Sequence, residues 1–260
     1  MEKTLDILRQ KARTAAERAY VPYSGRREAA LLLLADGTWA PGVRVESASF
    51  SLVIPPLVNA FTTAVAAGRT DVVAVALNRP FLPEEVAYVR STPAGSFREA
   101  AEDVFVATGA ETLPAVGSRL VPFLAAPAPE DPAAGIALAR LVARRAYVPE
   151  SDFPVGCVLV VEGGRLVPGV NVEHADWSRI LCAERNALGT ALSWGLTGLK
   201  TVYVTCLKDR AGSPCGACRQ LLEELAPAAA VWMDRGEAPP EVASPGQLLP
   251  GAFHGQTLLL

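Results

Sequence analysis

The sequence predicts an α/β fold built from two tandem domains, each a mixed β-sheet layered with helices. The first supporting observation is an internal repeat, because "AYVP" at residues 19–22 returns at residues 146–149. The alignment at this offset of 127 residues runs without a gap from residue 19 to residue 78, and 21 of the 60 pairs are identical. A period of this length indicates a duplicated domain rather than a solenoid. The second observation is the order of local patterns, which begins in each copy with an amphipathic helix.

The second copy shows the order of elements most clearly. After the helix "GIALARLVARRAYVP", the strand "PVGCVLVVEGG" ends in a Gly-Gly turn and leads into the partner strand "RLVPGVNVE". The segment "LCAERNALGTALSWG" has apolar residues at helical spacing and ends at Gly195, a typical helix C-terminal residue. The strand "TVYVTCL" and a helix that starts after "SPCGAC" and runs through "RQLLEEL" complete the pattern.

The prolines and small residues of "AAPAPEDPAAG" mark the boundary between the copies. We therefore expect a first domain over residues 1–124, a linker over residues 125–134 and a second domain over residues 135–260.

The composition limits the classes of function. Half of the 260 residues are apolar, 20% are charged and the net charge is −3, which is typical of a soluble globular protein. No Lys/Arg block stands out, which disfavours nucleic acid as a partner. The N-terminal segment lacks the apolar core of a signal peptide, and no apolar run is long enough to span a membrane. We expect a cytoplasmic protein, in which clustered cysteines bind metal or act in catalysis more often than they form disulfides.

Three cysteines of the second copy indicate a metal site. Cys215 and Cys218 have C-x-x-C spacing at the start of one predicted helix, and Cys182 starts another. The positive end of a helix dipole favours the thiolate that binds metal. Three thiolates leave one position of a zinc tetrahedron open, as in catalytic sites. Taken alone, the C-x-x-C pair also fits a redox dithiol or half of a structural site, and His174 or His254 could supply a fourth ligand.

Glu184 follows Cys182 by two residues in the same predicted helical turn. Its carboxylate can approach water on the metal without being a ligand, and can take up a proton there. The alternative interpretation is an acidic residue that complements the helix dipole. Cys157 and Cys206 lie within apolar strands and are interpreted as buried spacers.

Five motifs of the second copy resemble, in order and spacing, those of the cytidine deaminases. They are "FPVG" (153–156), "NVE" (171–173), "CAER" (182–185), "SPCGACRQ" (213–220) and "LLPGAF" (248–253). The resemblance implies one Zn²⁺ per chain, in the C-terminal domain. It also implies hydrolytic deamination of cytidine or deoxycytidine to uridine or deoxyuridine plus ammonia, in pyrimidine salvage.

The resemblance further implies roles for single residues. Cys182, Cys215 and Cys218 would hold the zinc. Glu184 would take a proton from the zinc water, protonate N3 of the pyrimidine and help ammonia to leave. Arg185 would donate to the thiolates and offset the net negative charge of the metal centre.

The same resemblance implies the substrate-binding residues. Phe153 would stack against the base, and Asn171 and Glu173 would hydrogen-bond the ribose. The backbone around Ala183 and Ser213 would contact the cytosine edge and the leaving amino group. The simpler alternatives are a core aromatic residue for Phe153 and a solvated strand edge for Asn171 and Glu173.

The first copy lacks the metal-binding and proton-transferring groups. Pro55 and Leu57 stand opposite the first zinc ligand and the general base, and "AYVRS" faces "SPCGAC". We therefore expect a degenerate, non-catalytic domain with a structural role. In the alternative interpretation, Arg26 and Arg44 bind a different ligand.

The resemblance implies a homodimer whose four domains have pseudo-tetrameric order, with Phe253 packed at or near a neighbouring site. Two alternative functions remain open. His174, Asp176 and Trp177 are unusual for the family and leave open another aminopyrimidine nucleoside as the substrate. A non-catalytic zinc protein that binds or regulates is the other alternative, and the intact Glu184 argues against it.

Overall fold

The computed structural model describes residues 1–92 and 94–259 and confirms two tandem α/β domains. The first contains α1 (Glu2–Ala16), β1 (Ala29–Leu34), β2 (Trp39–Val43), α2 (Pro56–Ala66), β3 (Val72–Leu77), α3 (Pro83–Val89), β4 (Phe97–Ala101) and β5 (Val104–Ala107). The second contains α4 (Pro132–Ala143), β6 (Val155–Val161), β7 (Leu166–Val170), α5 (Ala183–Ser193), β8 (Leu199–Cys206), α6 (Gly216–Leu225), β9 (Ala230–Met233), β10 (Glu241–Ala243) and α7 (Pro245–Leu248). Leu260, the last residue of the predicted second domain, lies outside the described residues.

Both sheets have five strands, and the first three strands of each domain lie in the same order, β2-β1-β3 and β7-β6-β8. The two outer strands differ, because the order continues β5-β4 in the first domain and β9-β10 in the second. The pairings of the first sheet are antiparallel. In the second sheet β8 and β9 are parallel, because α6 carries the chain back between them. Among the described helices, none combines the length and the apolar character needed to cross a bilayer.

The central strands are buried because helices cover both faces of the sheet. All six residues of β1 are buried. Its alternating side chains point to opposite faces, so Leu31 and Leu33 share a core cluster with Leu8 of α1. Leu32 belongs instead to the large core cluster that contains Phe61 of α2.

Glycines on the edge strands β2 and β7 let α2 and α5 pack directly on the sheets. A Cβ atom on Gly42 would lie 2.2 Å from the backbone nitrogen of Ala60. A Cβ atom on Gly169 would lie 2.1 Å from the carbonyl oxygen of Ala183. Because only glycine leaves room for the helix backbone there, β7 fixes where the N-terminus of α5 lies.

The two copies pack against each other through α2 and α5. At the centre of this contact, the hydroxyls of Thr63 and Thr190 are 2.7 Å apart. These two residues are counterparts in the repeat, so the contact lies on an approximate two-fold axis. Asn59 donates to the carbonyl oxygen of Gly189, and its counterpart Asn186 donates to the Thr62 hydroxyl. The side-chain amide of each asparagine therefore donates a hydrogen bond to the other copy.

Helix α4 begins earlier than the sequence predicts. The carboxylate of Asp131 accepts a hydrogen bond from the backbone N–H of Ala134 at 2.8 Å and caps a helix that begins at Pro132. Residues 132–134, assigned to the linker from their composition, are therefore the first turn of α4.

Candidate active site

Three thiols converge where the N-termini of α5 and α6 meet. Cys182 is the N-cap of α5, Cys215 is the N-cap of α6, and Cys218 lies in the first turn of α6. The Sγ atoms of Cys182 and Cys215 are 3.7 Å apart, and those of Cys215 and Cys218 are 3.6 Å apart. All three lie within 4.8 Å of one another.

These separations fit a zinc ion. Sulfur ligands about 2.3 Å from a tetrahedral zinc lie about 3.8 Å from one another. The pKa of Cys215 is lowered by hydrogen bonds from the Cys182 and Cys218 thiols and from the backbone N–H groups of Cys218 and Ala217. A thiolate therefore forms readily at this position, as a metal ligand requires.

Glu184 lies beside the thiols and is 3% exposed. Its Oε2 atom accepts a hydrogen bond from the Cys218 thiol at 3.3 Å. Burial raises the pKa of Glu184 to about 6, and the negative charge of Cys215 adds to the shift. A carboxyl group with a pKa near neutrality can both accept and donate a proton.

A cavity of about 340 Å³ opens above the thiols and Glu184. It is lined by Ser151, Phe153, Val155, Asn171, Glu173, Ile180, Cys182, Glu184, Cys206, Ser213 and Cys215. Seven of these residues are site residues that the sequence predicts, and they come from four separate segments of the chain. The fold therefore brings the predicted metal ligands together with four of the predicted substrate-binding residues, Phe153, Asn171, Glu173 and Ser213.

Asn171 holds the start of β6 at the rim of this cavity. Its Oδ1 atom accepts from the backbone N–H of Val155 at 2.8 Å, and its Nδ2 atom donates to the carbonyl oxygen of Phe153 at 2.9 Å. One N–H of the amide and one lone pair of its oxygen remain for a ligand.

Glu173 holds the loop that precedes β6. Its carboxylate accepts from the backbone N–H groups of Glu150 and Ser151 and from the Ser151 hydroxyl. Burial opposes ionisation of Glu173, but the bonds from Ser151 and Glu150 outweigh it and lower the pKa. Glu173 thus carries a fixed negative charge at the cavity wall.

Ala183 and Arg185 lie behind the cavity wall. Ala183 is fully buried, with its carbonyl oxygen against Gly169. Arg185 donates from Nη2 to the carbonyl oxygen of Leu52 in the first copy at 3.0 Å. The Nε of Arg185 is buried and has no acceptor among the described residues, so it is available to a group that binds there. Its donation to the thiolates stays a prediction.

Phe253 does not line the cavity of its own chain. The ring is exposed, while the backbone N–H and carbonyl oxygen of Phe253 bond to the side-chain amide of Gln220. The closing motif is therefore tied to α6 with its aromatic ring directed to the surface.

Arg219 positions the loop before α6, a role that the sequence does not reveal. Its Nε donates to the carbonyl oxygen of Pro214 at 2.7 Å, and its Nη1 donates to that of Leu248 at 2.9 Å. Its Nη2 donates to the Ser213 hydroxyl at 2.8 Å. In the sequence, the one indication of this role is that Arg219 belongs to the motif "SPCGACRQ".

The interpretation of Cys206 as a buried spacer is wrong. Cys206 is half-buried and lines the cavity, because it is the last residue of β8 and lies at the edge of the sheet. Cys157 is buried, as expected, and burial raises its pKa.

The equivalent region of the first copy contains a network of ion pairs. Arg44 donates to Glu46 at 2.9 Å, and Arg79 donates to Glu28 at 2.9 Å and to Glu85 at 2.7 Å. Arg44, considered above as a residue for another ligand, is therefore engaged with carboxylates of its own domain.

Comparisons with known proteins identify the family to which the chain belongs. The family model for the cytidine and deoxycytidylate deaminase zinc-binding region matches residues 130–234, and a second model with the same description matches residues 1–85. A cytidine deaminase of Sporosarcina psychrophila is 37% identical over 124 residues, which are 47% of this chain and 91% of that relative. The chain belongs to the cytidine deaminase family.

Further family members resemble about half of the chain. A cytidine deaminase of Mycobacterium tuberculosis is 39% identical over 111 residues, which are 42% of this chain and 78% of that relative. The crystal structure of cytidine deaminase from Burkholderia pseudomallei has 38% identity and a TM-score of 0.45, and covers 46% of this chain and 98% of that chain.

Proposed function

We propose that the second copy catalyses the zinc-dependent hydrolytic deamination of cytidine and deoxycytidine, which yields uridine or deoxyuridine and ammonia. One observation carries this proposal. Three thiols with the mutual spacing of tetrahedral zinc ligands lie beside a buried carboxyl group, at the base of a cavity of about 340 Å³. Membership of the cytidine deaminase family supports the same reaction.

Cys182, Cys215 and Cys218 would hold the zinc, which supplies Lewis acidity that makes water acidic and nucleophilic near neutral pH. Glu184 accepts the proton of the water that attacks C4 and delivers it to N3 of the pyrimidine. It then takes the proton of the hydroxyl group added at C4 and delivers it to the amino group, which leaves as ammonia while the C4 carbonyl forms. The pKa of about 6 suits both directions of transfer.

The cavity wall would select and orient the nucleoside. Phe153 stacks against the pyrimidine ring, and Asn171 and Glu173 use their remaining hydrogen-bonding capacity for the ribose hydroxyls. Backbone groups at Ala183 and Ser213 contact the edge of the base.

Three unusual residues of the second copy give no reason to choose another nucleoside. His174, Asp176 and Trp177 are absent from the described residues that line the cavity. Asp176 and Trp177 are exposed. The common substrates cytidine and deoxycytidine therefore remain the proposal.

The first domain, residues 1–124, would be non-catalytic, and the second would begin at the helix cap Asp131. The first domain has Pro55 and Leu57 at the positions of Cys182 and Glu184. One zinc per chain follows, bound in the second domain.

The first domain would support the active site of the second through His174. The Nδ1 atom of His174 accepts from the backbone N–H of Asp176, so the neutral ring carries its proton on Nε2. Nε2 lies 2.8 Å from the Ser91 hydroxyl, and the ring stacks on Tyr88 with centroids 5.0 Å apart. Because His174 directly follows Glu173, these contacts fix one wall of the cavity.

Two exposed aromatic side chains support a homodimer. Phe50 is 88% exposed and Trp177 is 81% exposed, and they are counterparts in the repeat. Exposed aromatic residues that recur at symmetric positions are typical of an interface. Two chains joined there would arrange four domains in pseudo-tetrameric order, with Phe253 near the site of a neighbouring domain.

The reaction is tested by the absorbance of cytidine during incubation with zinc-loaded protein. Glu184→Gln should keep its zinc and lose about 10²–10⁴-fold in kcat, because it removes a general acid–base group. Glu162→Gln is the matched control, since Glu162 is an exposed residue of the same domain. If wild-type protein holds zinc and consumes neither cytidine nor deoxycytidine, the proposed substrates are wrong.

A further inference from the structure

A second cavity, of about 450 Å³, lies beside α1 and shares no lining residue with the active-site cavity. Three cationic side chains line it, those of Lys11, Arg18 and Arg119. The remaining lining residues include the ring of Trp39 and the polar side chain of Gln10, and none is acidic. All charged side chains among these lining residues are therefore cationic, in a chain with a net charge of −3.

The three cations have no anionic partner among the residues that the structure describes. No ion pair or side-chain hydrogen bond between described residues involves Lys11, Arg18 or Arg119. Two of them contact aromatic rings instead. The ammonium of Lys11 lies 4.4 Å from the centroid of Trp39, and the guanidinium of Arg119 lies 5.3 Å from that of Trp194. These contacts hold the side chains in place and leave their charges uncompensated.

The positive charges around this cavity repel one another. Burial lowers the pKa of Arg119, and the nearby charges of Arg18 and Arg165 lower it further. Arg165 lies directly before β7, so the second copy adds a fourth cation beside the first three. A multivalent anion bound among these groups would relieve their repulsion.

Arg18 differs in its hydrogen bonding from its counterpart in the internal repeat. Its counterpart is Arg145, which donates to the carbonyl oxygen of Ala66 at 2.8 Å and thereby joins the two copies. Arg18 lies near Gly195 in the symmetric position but makes no such bond among the described residues. Arg145 thus joins the two copies, whereas its counterpart Arg18 is free to bind a ligand.

We propose that Lys11, Arg18 and Arg119 form a binding site for a small phosphorylated anion, namely a pyrophosphate or the polyphosphate group of a free nucleotide. Arginine is suited to this chemistry because its planar group of N–H donors matches phosphate oxygens in pairs. A cavity of about 450 Å³ accommodates a small ligand rather than the extended backbone of a polynucleotide.

The test is calorimetric titration of the zinc-loaded, full-length protein with pyrophosphate at low ionic strength. Arg18→Gln combined with Arg119→Gln should weaken binding by about tenfold or more, since two charge-assisted contacts are lost. The control combines Arg13→Gln with Arg144→Gln, which removes the same charge from exposed residues outside the cavity. The control should bind pyrophosphate as the wild type does.

Binding that is equal in the wild type and the Arg18/Arg119 variant would place the anion elsewhere, including on the zinc, and overturn the proposal. A wild-type protein that binds no pyrophosphate and no nucleoside triphosphate would also overturn it. Two further ligands distinguish a site for a nucleotide from a site for a free phosphate chain. Tighter binding of cytidine triphosphate than of inorganic triphosphate supports a nucleotide site, and equal binding supports a site for the phosphate chain alone.

Discussion

The close approach of α5 to β7 determines where two groups of the active site lie. A methyl group at Gly169 would lie 2.1 Å from the carbonyl oxygen of Ala183 and 2.8 Å from the backbone nitrogen of Ala187. Because an ordinary carbon–oxygen approach is about 3.3 Å, α5 must withdraw by about 1 Å to accept this methyl group. Cys182 caps this helix and Glu184 lies in its first turn, so the withdrawal moves both relative to the thiols of α6.

We expect Gly169→Ala to lower the free energy of unfolding by about 1–3 kcal/mol, as overpacking in a core does. It should also lower kcat for cytidine by about 10²-fold, because a displacement of 1 Å in an active site has an effect of this size. The matched control is Gly42→Ala, whose methyl group would lie 2.2 Å from the backbone nitrogen of Ala60 in the copy that lacks the site.

Urea unfolding and steady-state kinetics, both with zinc in excess, separate the two effects. Gly42→Ala should lose similar stability and keep nearly the kcat of the wild type per zinc-loaded chain. A kcat for Gly169→Ala that equals that of the wild type, or an equal loss in both variants, would refute the argument.

Three further predictions concern single contacts. Ser91→Ala removes the hydrogen bond to His174 and should raise KM by about 2–10-fold with little change in kcat, since one hydrogen bond contributes about 0.5–1.5 kcal/mol. A fall in kcat at constant KM would contradict the positioning role. Arg219→Gln should weaken zinc binding by about 10–100-fold in chelator competition, because it frees the loop before α6. Unchanged zinc affinity would show that the loop holds without Arg219. Burial opposes ionisation of Asp234, but bonds from Arg140 and Thr205 outweigh it and lower its pKa to about 2. Because this folded-state pKa lies below the unfolded value, Asp234 stabilises the fold above about pH 4 and the effect is lost as the pH falls toward 2. Asp234→Asn should therefore be less stable than the wild type by about 2 kcal/mol at pH 6, and the difference should vanish near pH 2. A difference that stays constant with pH would contradict this assignment.

The repeat and the motifs made much of the fold and the site predictable. The offset of 127 residues identifies two domains, and the structure shows two five-stranded sheets whose first three strands lie in the same order. The spacing of Cys215 and Cys218 at a helix start placed two thiols together, because the first turn of a helix fixes their separation. That Cys182 joins them depends on the packing of α5 against β7, which the sequence indicated only through the resemblance.

Contacts that depend on long-range packing were not predictable. Arg219 bonds to Leu248, 29 residues away, and His174 meets Ser91, 83 residues away. Neither pairing leaves a local pattern in the sequence. The sequence predicts a buried Cys206 because all residues of an apolar strand are expected to be buried. In the structure Cys206 is the last residue of β8 and faces the cavity.

The start of α4 differs from the position that the sequence predicts for another reason. Composition marks "PEDPAAG" as a linker, since proline and small residues are common there. The same residues make a good helix start when an aspartate precedes a proline, and Asp131 caps the helix in this way.

The proposed deamination of cytidine requires one zinc per chain, held by the three thiols of the second domain. Its most direct test is a titration of metal-free protein with zinc while the turnover of cytidine is followed. We expect turnover that rises in proportion to added zinc and stops rising at one zinc per chain. Turnover that is absent at one bound zinc, or that keeps rising to two, would contradict it.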